Sequence, residues 1–509
     1  MKFPEEFKKQ DSILFPVSFF LLTIILRLPF TSKYLYNMDA GHFALALENY
    51  NITVHQPHPP GYFLYVMMGR VLSLFIKDGN LVFVVISIFF SGLTVAVLYY
   101  LGKEMFNNRT GIFAALIALT SPDLWFYSEV ASTYVLEAFF STFIALLCWR
   151  IYKGEHRYIW LSVIALAVAG GIRQNTMVFL LPLWLFSVKE VRIRKIVASV
   201  GLLTGCCLLW FVPMLIMTGG WNAYQEAFNE LWMFHTGRKS VFEIGLNAIR
   251  IFSPLVFFST IYGIGVGVPV IGLATCFLII NKRVSSLDGK KLAFFSLWIA
   301  PSLLFYLLIH FHEHSGYVLI YLPALFILIA LSADYSGVHF RKIMKKDLAT
   351  SIIIAVIIVN SALFFFSKSP VSYQQIRKHN VNIPIMLNSI KAHKPDKTAI
   401  FIFTYWNYGY RQIMYYLPEY RVYQVDFNTL PTGKKRKTFW GFHRETFVTD
   451  EIILPENIDT FLMLLTVNDK NNLNMTGDIR IQYLLPLDMY LVSGDISLLE
   501  HILPELRVK

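Results

Sequence analysis

The stretch GYFLYVMMGRVLSLFI, from Gly61 to Ile76, decides the topology of the whole chain. It is apolar and helix-like, but it is short, follows two prolines and contains Arg70. If this stretch crossed a membrane, every later loop would change sides. If it lay in the membrane interface as an amphipathic helix, the later loops would keep their sides.

The composition is that of a polytopic membrane protein. Of the 509 residues, 55% are hydrophobic and only 15% are charged, whereas soluble domains carry about 25% charged residues. Charged residues become denser after residue 370, which predicts a membrane domain over 1–369 and a polar domain over 370–509. About eleven transmembrane helices are expected. Their apolar runs lie near 13–30, 80–101, 111–122, 133–149, 158–172, 176–188, 196–217, 252–280, 292–310, 316–333 and 348–367.

Lysine and arginine decide how the stretch 61–76 lies, because cytoplasmic loops are enriched in both residues. With an interfacial stretch, one side of the membrane collects 20 of the 29 basic residues of the membrane domain. With a spanning stretch, 17 of those 20 would move to the other side. The interfacial interpretation is therefore favoured. It places the first loop (31–79), the 218–250 loop and the polar domain on the outer face.

This charge pattern also explains the formal net charge of +12. The excess of basic residues belongs to the membrane domain, so it indicates the topology. We therefore expect no nucleic-acid partner. We expect a multi-pass protein of a prokaryotic plasma (inner) membrane.

The first outer loop carries the densest set of chemistry-bearing side chains. Asp39 stands at the start of an amphipathic stretch, where a carboxylate either caps a helix or acts as a general base toward a hydroxyl group. His42 would share its face if the stretch is helical. His55 and His58 follow in a proline-rich segment.

Two strings in this loop resemble a known enzyme class. The pattern D-x-x-H-F at Asp39 to Phe43, followed by H-P-P-G-Y at His58 to Tyr62, resembles the first luminal loop of the GT-C membrane glycosyltransferases. The resemblance is to the protein O-mannosyltransferases and, more closely, to a related family with an HPPGYPLY loop. The string WFYSEVASTYVLEAFF (125–140) is similar to that family's fourth-helix region, although its acidic and polar positions differ.

The resemblance implies a GT-C fold with the active site between outer loops and membrane. It implies a polyprenyl-phosphate sugar as donor and a catalytic carboxylate in the first loop, which is Asp39 in this chain. It also points to a metal-independent reaction.

A sugar phosphodiester needs a cationic, donor-rich environment for its leaving phosphate as well as a base. We therefore predict substrate-binding side chains around Asp39, namely His42, His58, Glu129, Arg173, His235, Arg238, Lys239, His312 and His314. Arg173 has an alternative as an anchor at the membrane border. For Arg238 and Lys239 the alternative is a solvated or headgroup-binding loop.

By number and residue type, His42, His55, His58, His312 and His314, together with Asp39, are enough ligands for a metal site. However, the sequence has no D-x-D or C-x-x-C motif and no H-x-x-x-H on a clear helix. We expect no metal or other cofactor, with a divalent metal ion as the alternative.

The polar domain has the pattern of a small α/β fold on the outer face. TAIFIFT (398–404) and RVYQVDF (421–427) are strand-like, and the segment between them is helix-like, which predicts a β-α-β unit. Further strands are expected at 459–467 and 488–494. The basic run 433–437 is interpreted as a solvated loop, with a headgroup or glycan contact as the alternative.

These observations predict a polytopic α-helical glycosyltransferase of GT-C type with a C-terminal extracytoplasmic α/β domain. It would transfer a hexose, mannose among the candidates, from a polyprenyl-phosphate carrier to a hydroxyl of a protein, glycan or lipid, with inversion. Asp39 would be the base. The alternative is a transporter or flippase of a lipid-linked substrate, for which Glu137 within a helix is the supporting residue.

Overall fold

The computed structural model describes most of the chain. The described residues are 5–236, 239–265, 267, 269–270, 272, 288–311, 315–344, 347–403, 409–426, 438–440, 451–452, 454–473, 475, 477–485, 487–502 and 507–508.

Most of the described residues up to Lys391 lie in helices. In chain order they are α1 (Glu5–Arg27), α2 (Met38–Ala46), α3 (Phe63–Ser73), α4 (Gly79–Met105), α5 (Asn108–Thr120), α6 (Pro122–Ser128), α7 (Tyr134–Tyr152), α8 (Tyr158–Ile172), α9 (Gln174–Ser187), α10 (Ile193–Thr218), α11 (Trp221–Thr236), α12 (Val241–Ile244), α13 (Asn247–Ile264), α14 (Gly289–Leu308), α15 (Leu322–Met344), α16 (Ala349–Phe366) and α17 (Tyr373–Lys391).

Every apolar run that was predicted to span coincides at least in part with one of these helices. Within the described residues, seven helices are long and apolar enough to cross a membrane: α1, α4, α7, α10, α13, α14 and α16. The runs at 111–122 and 176–188 form α5 and α9, which have 13 and 14 residues, fewer than the roughly 20 that a span needs. The count of about eleven spans is not confirmed and stays a prediction.

The segment 31–78 leaves and re-enters the helix bundle at one end. The Asn80 side chain, at the start of α4, donates a hydrogen bond to the Ser32 carbonyl just after α1, over 2.8 Å. Within this segment α3 has only 11 residues, a length of about 16 Å, so it does not span. The interfacial interpretation of the stretch 61–76 agrees with this geometry. We call this end of the bundle the site end.

The loops that the charge pattern grouped on the other side meet at the opposite end. Arg109 lies 3.3 Å from Asp334 and 2.8 Å from Asp347. Arg150 pairs with Glu104 at the same end. The structure therefore brings the α4–α5 loop together with residues flanking the α15–α16 loop and with the end of α7, as predicted, whereas the outward orientation of the site end stays a prediction.

The C-terminal domain contains a mixed sheet. Its described strands are β1 (Thr398–Ile402), β2 (Arg421–Asp426), β3 (Thr438–Trp440), β4 (Glu451–Ile452), β5 (Thr460–Leu465), β6 (Ile479–Leu484), β7 (Met489–Asp495) and β8 (Arg507–Val508), with helices α18 (Tyr410–Tyr416), α19 (Val467–Asn472) and α20 (Leu499–Ile502). The main sheet has the order β3-β2-β1-β5-β7-β6, and β1 is parallel to both β2 and β5. The predicted β-α-β unit is β1-α18-β2. The basic run 433–437 lies outside the described residues.

This domain is hydrogen-bonded to the site end of the bundle. Tyr416 of α18 accepts a hydrogen bond from the Leu35 amide at 2.8 Å, and Tyr415 accepts one from the Gly79 amide at 2.7 Å. His379 of α17 lies 3.0 Å from the Leu35 carbonyl. The first loop is therefore enclosed between the helix bundle and the C-terminal domain.

Candidate active site

Helix α2 presents Asp39 to a cavity at the site end. The helix is capped by Asn37, whose side chain accepts a hydrogen bond from the Ala40 amide at 2.9 Å. Asn37, and not Asp39, is therefore the N-cap of α2. Asp39 lies in the first helical turn, where the helix dipole favours a carboxylate, and its side chain is 27% exposed.

The segment after α2 folds back so that His58 meets His42. The turn uses Gly61, whose φ of +115° is a conformation that side-chain-bearing residues rarely adopt. His58 Nδ1 lies 3.1 Å from His42 Nδ1, and its other ring nitrogen lies 3.1 Å from the Tyr62 hydroxyl. The two Nδ1 atoms lie 4.0 Å and 3.8 Å from an Asp39 carboxylate oxygen. The predicted residues Asp39, His42 and His58 therefore form one cluster.

The histidines of this cluster are held neutral. Burial, and then the positive charge of Arg411, lowers the pKa of His42 well below its ordinary value of 6.5. Burial also lowers the pKa of His58, although the nearby Asp39 carboxylate acts in the opposite direction. Neutral imidazoles can share one proton between them as donor and acceptor, as the His42–His58 distance requires.

Asp39 and His58 lie on the wall of a cavity of about 170 Å³. One wall is polar and comes from the first loop, the turn before α7 and the turn before α9. The other wall is largely apolar and comes from α11 and α14. The lining residues are Asn37, Asp39, Phe43, His58, Pro59, Pro60, Tyr62, Ala131, Ser132, Thr133, Tyr134, Arg173, Asn175, Phe228, Leu231, Trp232, Thr236, Phe305, Ile309, His310 and Tyr317.

Arg173 is the one lysine or arginine among the described residues that line this cavity. Its side chain is buried and forms an ion pair with Glu137. Its guanidinium also lies 4.8 Å from the Tyr134 ring centre and 5.1 Å from the Tyr317 ring centre. An arginine enclosed in this way does not reach lipid headgroups, so the anchor alternative for Arg173 is wrong.

Of the other predicted substrate-binding residues, the two that the structure describes, Glu129 and Lys239, are not on the wall of this cavity. Glu129 is fully buried beside Arg27, which in turn lies over the Trp125 ring, and it is absent from the cavity wall. Lys239 is exposed and is also absent from that wall. The side chain of His235, and Arg238, His312 and His314, lie outside the described residues.

Several cavity residues were missed by sequence reasoning. Tyr134 and Tyr317 enclose Arg173, and Trp232 and Phe305 belong to the apolar wall. Aromatic residues are too frequent in this chain, at 16%, for any one of them to stand out in the sequence. Tyr62 was quoted within the H-P-P-G-Y string, and its contact with His58 shows why that string forms part of the site.

The cluster also fits a divalent metal ion. Asp39, His42 and His58 each offer one ligand atom, and these atoms all lie within 4.8 Å of one another. Carboxylate and imidazole are ligands that zinc and similar ions accept. The same distances suit the hydrogen-bonded arrangement, so both alternatives stay open.

A family model matches the part of the chain that contains these residues. Residues 39–195 match the family model described as the N-terminal domain of the protein O-mannosyl-transferase TMEM260. This range begins at Asp39 and contains His58, Glu137 and Arg173. No curated protein matches the chain.

The solved structures of ArnT show the same overall architecture. ArnT from Cupriavidus metallidurans bound to undecaprenyl phosphate is 13% identical, with 96% of this chain and 98% of that chain covered and a TM-score of 0.56. The apo state of ArnT gives the same identity and TM-score, with 96% and 99% covered. An oligosaccharyltransferase from Archaeoglobus fulgidus in its apo form is 13% identical over 80% of this chain and 64% of that chain, with a TM-score of 0.46. The chain therefore has the GT-C fold of ArnT, and the part of it that holds Asp39 and Arg173 resembles the N-terminal domain of the TMEM260 protein O-mannosyl-transferases.

Proposed function

We propose that this chain is a membrane glycosyltransferase that moves a hexose from a polyprenyl-phosphate carrier to a hydroxyl acceptor, with Asp39 as general base. One observation carries the proposal: a carboxylate, Asp39, and a buried guanidinium, Arg173, line the same cavity, and apolar side chains of α11 and α14 line it as well. A lipid-linked sugar phosphate needs all three features, for its acceptor, its phosphate and its isoprenoid chain.

The reaction is a single displacement. The acceptor hydroxyl attacks the anomeric carbon and gives its proton to the Asp39 carboxylate. The bond between that carbon and the phosphate oxygen breaks, and the carrier phosphate leaves with the bonding electron pair. Since attack and departure occur on opposite faces, the anomeric configuration inverts. A positioned base contributes roughly 10² to 10⁴ in rate.

Arg173 is suited to the leaving phosphate. Its ion pair with Glu137 and the rings of Tyr134 and Tyr317 hold the guanidinium in one place. A guanidinium has five N–H donors, so pairing with one carboxylate leaves donors for a phosphate oxygen. Charge that develops on the carrier oxygen then meets a preorganised cation.

The known proteins suggest which substrates to test first. ArnT was solved with undecaprenyl phosphate, which supports a polyprenyl-phosphate donor here. The matching family model is named for protein O-mannosyl transfer, which supports mannose and a protein hydroxyl. A glycan or lipid hydroxyl is the next acceptor to test, in a prokaryotic plasma membrane with the site end outside.

The transporter alternative has less support. It depended on Glu137 as an ionisable group within a helix, and the structure pairs Glu137 with Arg173 at the wall of the cavity. The pair therefore belongs to the same site as Asp39.

The test is transfer by the purified full-length protein from polyprenyl-phosphate mannose, and from other polyprenyl-phosphate hexoses, to peptide and glycan hydroxyls. Asp39→Asn should lower kcat by at least about a hundredfold with thermal stability nearly unchanged. Asp78→Asn is the matched control, because Asp78 is an acidic N-cap in the same loop that hydrogen-bonds the Leu81 amide at 2.7 Å. Near-wild-type transfer by Asp39→Asn would remove Asp39 as the base.

A chelator separates the metal-independent reaction from its alternative. We propose that no metal is needed, so prolonged treatment with a chelator should leave transfer within about twofold of the untreated protein. Loss of activity that a divalent ion restores would favour the metal alternative, with His42 and His58 as the first ligands to test.

A further inference from the structure

The C-terminal domain contributes to the site through helix α18. Ile413 and Met414 of α18 share an apolar core with Met38 and Leu45 of α2. The two helices approach closely at Gly41, where an added Cβ would lie only 2.8 Å from the Arg411 Cβ. The helix that carries Asp39 is therefore packed directly against the C-terminal domain.

Arg411 extends from this contact toward the loop that precedes His58. Its side chain is fully buried, and one guanidinium nitrogen donates to the Val54 carbonyl at 2.6 Å. With the Gln56 amide oriented to satisfy both neighbours, its oxygen accepts from the other terminal nitrogen of Arg411 at 3.2 Å and its nitrogen donates to the Asn49 carbonyl at 3.3 Å. One guanidinium thus holds two points of the segment 49–56.

That segment is itself a closed loop. The backbones of Asn51 and Gln56 exchange two hydrogen bonds, of 2.6 Å and 2.9 Å. Two residues later the chain reaches His58, whose ring contacts His42 and lies on the cavity wall.

We propose that Arg411 is a positioning residue through which the C-terminal domain holds the segment 49–58 and α2, and thereby His58 and Asp39, in their places at the cavity. Arg411 does not line the cavity, so it acts through the loop and makes no contact with substrate. The C-terminal domain is then an integral part of the active site. The kinetic part of this inference rests on the proposed function, whereas the structural part does not.

The test compares the full-length protein with Arg411→Ala, Arg411→Lys and Arg480→Ala. Arg480 is an exposed arginine of β6 in the same domain and is the matched control. Hydrogen exchange, read by mass spectrometry on peptides covering 49–58, reports the loop directly. Arg411→Ala should raise exchange there by about tenfold or more, without a change in β1 and β5. Arg480→Ala should exchange like the wild type.

Kinetics on the same samples distinguish positioning from general stability. Arg411→Ala should lower kcat by roughly ten- to a hundredfold while the donor KM stays within about threefold, because a displaced catalytic group slows the chemical step more than it weakens binding. Arg411→Lys keeps the charge and a donor for the Val54 carbonyl, so it should recover part of the rate.

Each outcome decides the inference. Wild-type exchange at 49–58, or wild-type kcat, in folded Arg411→Ala overturns it. If the alanine variant does not fold, Arg411→Lys decides: faster local exchange at a normal melting temperature supports the proposal, and wild-type exchange with wild-type kcat overturns it. If the wild type transfers no sugar, the proposed function fails, and the exchange measurement still tests Arg411.

Discussion

Replacing Glu137 by Gln tests whether Arg173 is available to bind a phosphate. In the ion pair the side chains of Arg173 and Glu137 are only 8% and 2% exposed. Glutamine keeps the size of glutamate and one hydrogen-bond acceptor but removes the negative charge. Arg173 is then left as a buried cation with no counter-charge from Glu137.

The expected loss of stability follows from this burial. Removing one partner of a buried ion pair costs about 3–5 kcal/mol, and because glutamine still accepts a hydrogen bond we expect about 3 kcal/mol. A phosphate in the cavity would supply the missing negative charge and recover much of that loss. Saturating polyprenyl phosphate should therefore raise the melting temperature of Glu137→Gln at least about twice as much as that of the wild type.

The assay is thermal unfolding in detergent, with and without polyprenyl phosphate. Glu104→Gln is the matched control, because Glu104 pairs with Arg150 at the opposite end of the bundle and both side chains there are partly exposed, at 29% and 25%. Its loss should stay within about 1 kcal/mol, and its response to the carrier should equal that of the wild type. An equal response of Glu137→Gln and wild type to the carrier would refute the assignment of Arg173 to the phosphate.

Three further predictions concern the loop, its histidines and the topology. Gly61→Ala should destabilise the protein more than Gly154→Ala in thermal unfolding, since both glycines have positive φ but only at Gly61 would a Cβ collide, 2.6 Å from Ile52 Cδ1. The folded-state pKa of His42 lies well below 6.5. As the pH is lowered, His42 therefore takes up its proton at a higher pH in the unfolded chain than in the folded protein. The melting temperature should therefore be level above pH 6.5, fall as the pH drops toward about 5, and fall less in His42→Gln. A membrane-impermeant maleimide added to intact cells should label Lys33→Cys at the site end and leave Glu155→Cys unlabelled, and the reverse pattern contradicts an outward site end.

The membrane class, the interfacial stretch and the core of the site could be predicted from the sequence because each depends on local chemistry. Hydropathy and the distribution of lysine and arginine act through the bilayer, so they can be interpreted without knowing which helices touch. Asp39 and His42 are one helical turn apart, and His58 follows within a short proline-rich segment, so their proximity is mostly a matter of chain connectivity.

In the C-terminal domain, too, one part of the secondary structure could be predicted from the sequence and another part could not. β1 was predictable because all five of its residues are buried and give a continuous apolar run. β6 was missed because it is the edge strand, with four exposed residues between its ends, and therefore has no continuous apolar run.

Only the tertiary structure decided how the buried charges are paired. Glu129 was expected near the substrate, but packing places it beside Arg27. Arg173 was expected at the site, but its partner Glu137 lies 36 residues earlier on a different helix. Arg411 reaches the loop from the C-terminal domain and contacts Val54, which lies 357 positions earlier in the sequence. A buried charge must find a partner wherever the fold supplies one, and the physical reason that no sequence pattern marks that partner is that the pairing has no fixed spacing along the chain.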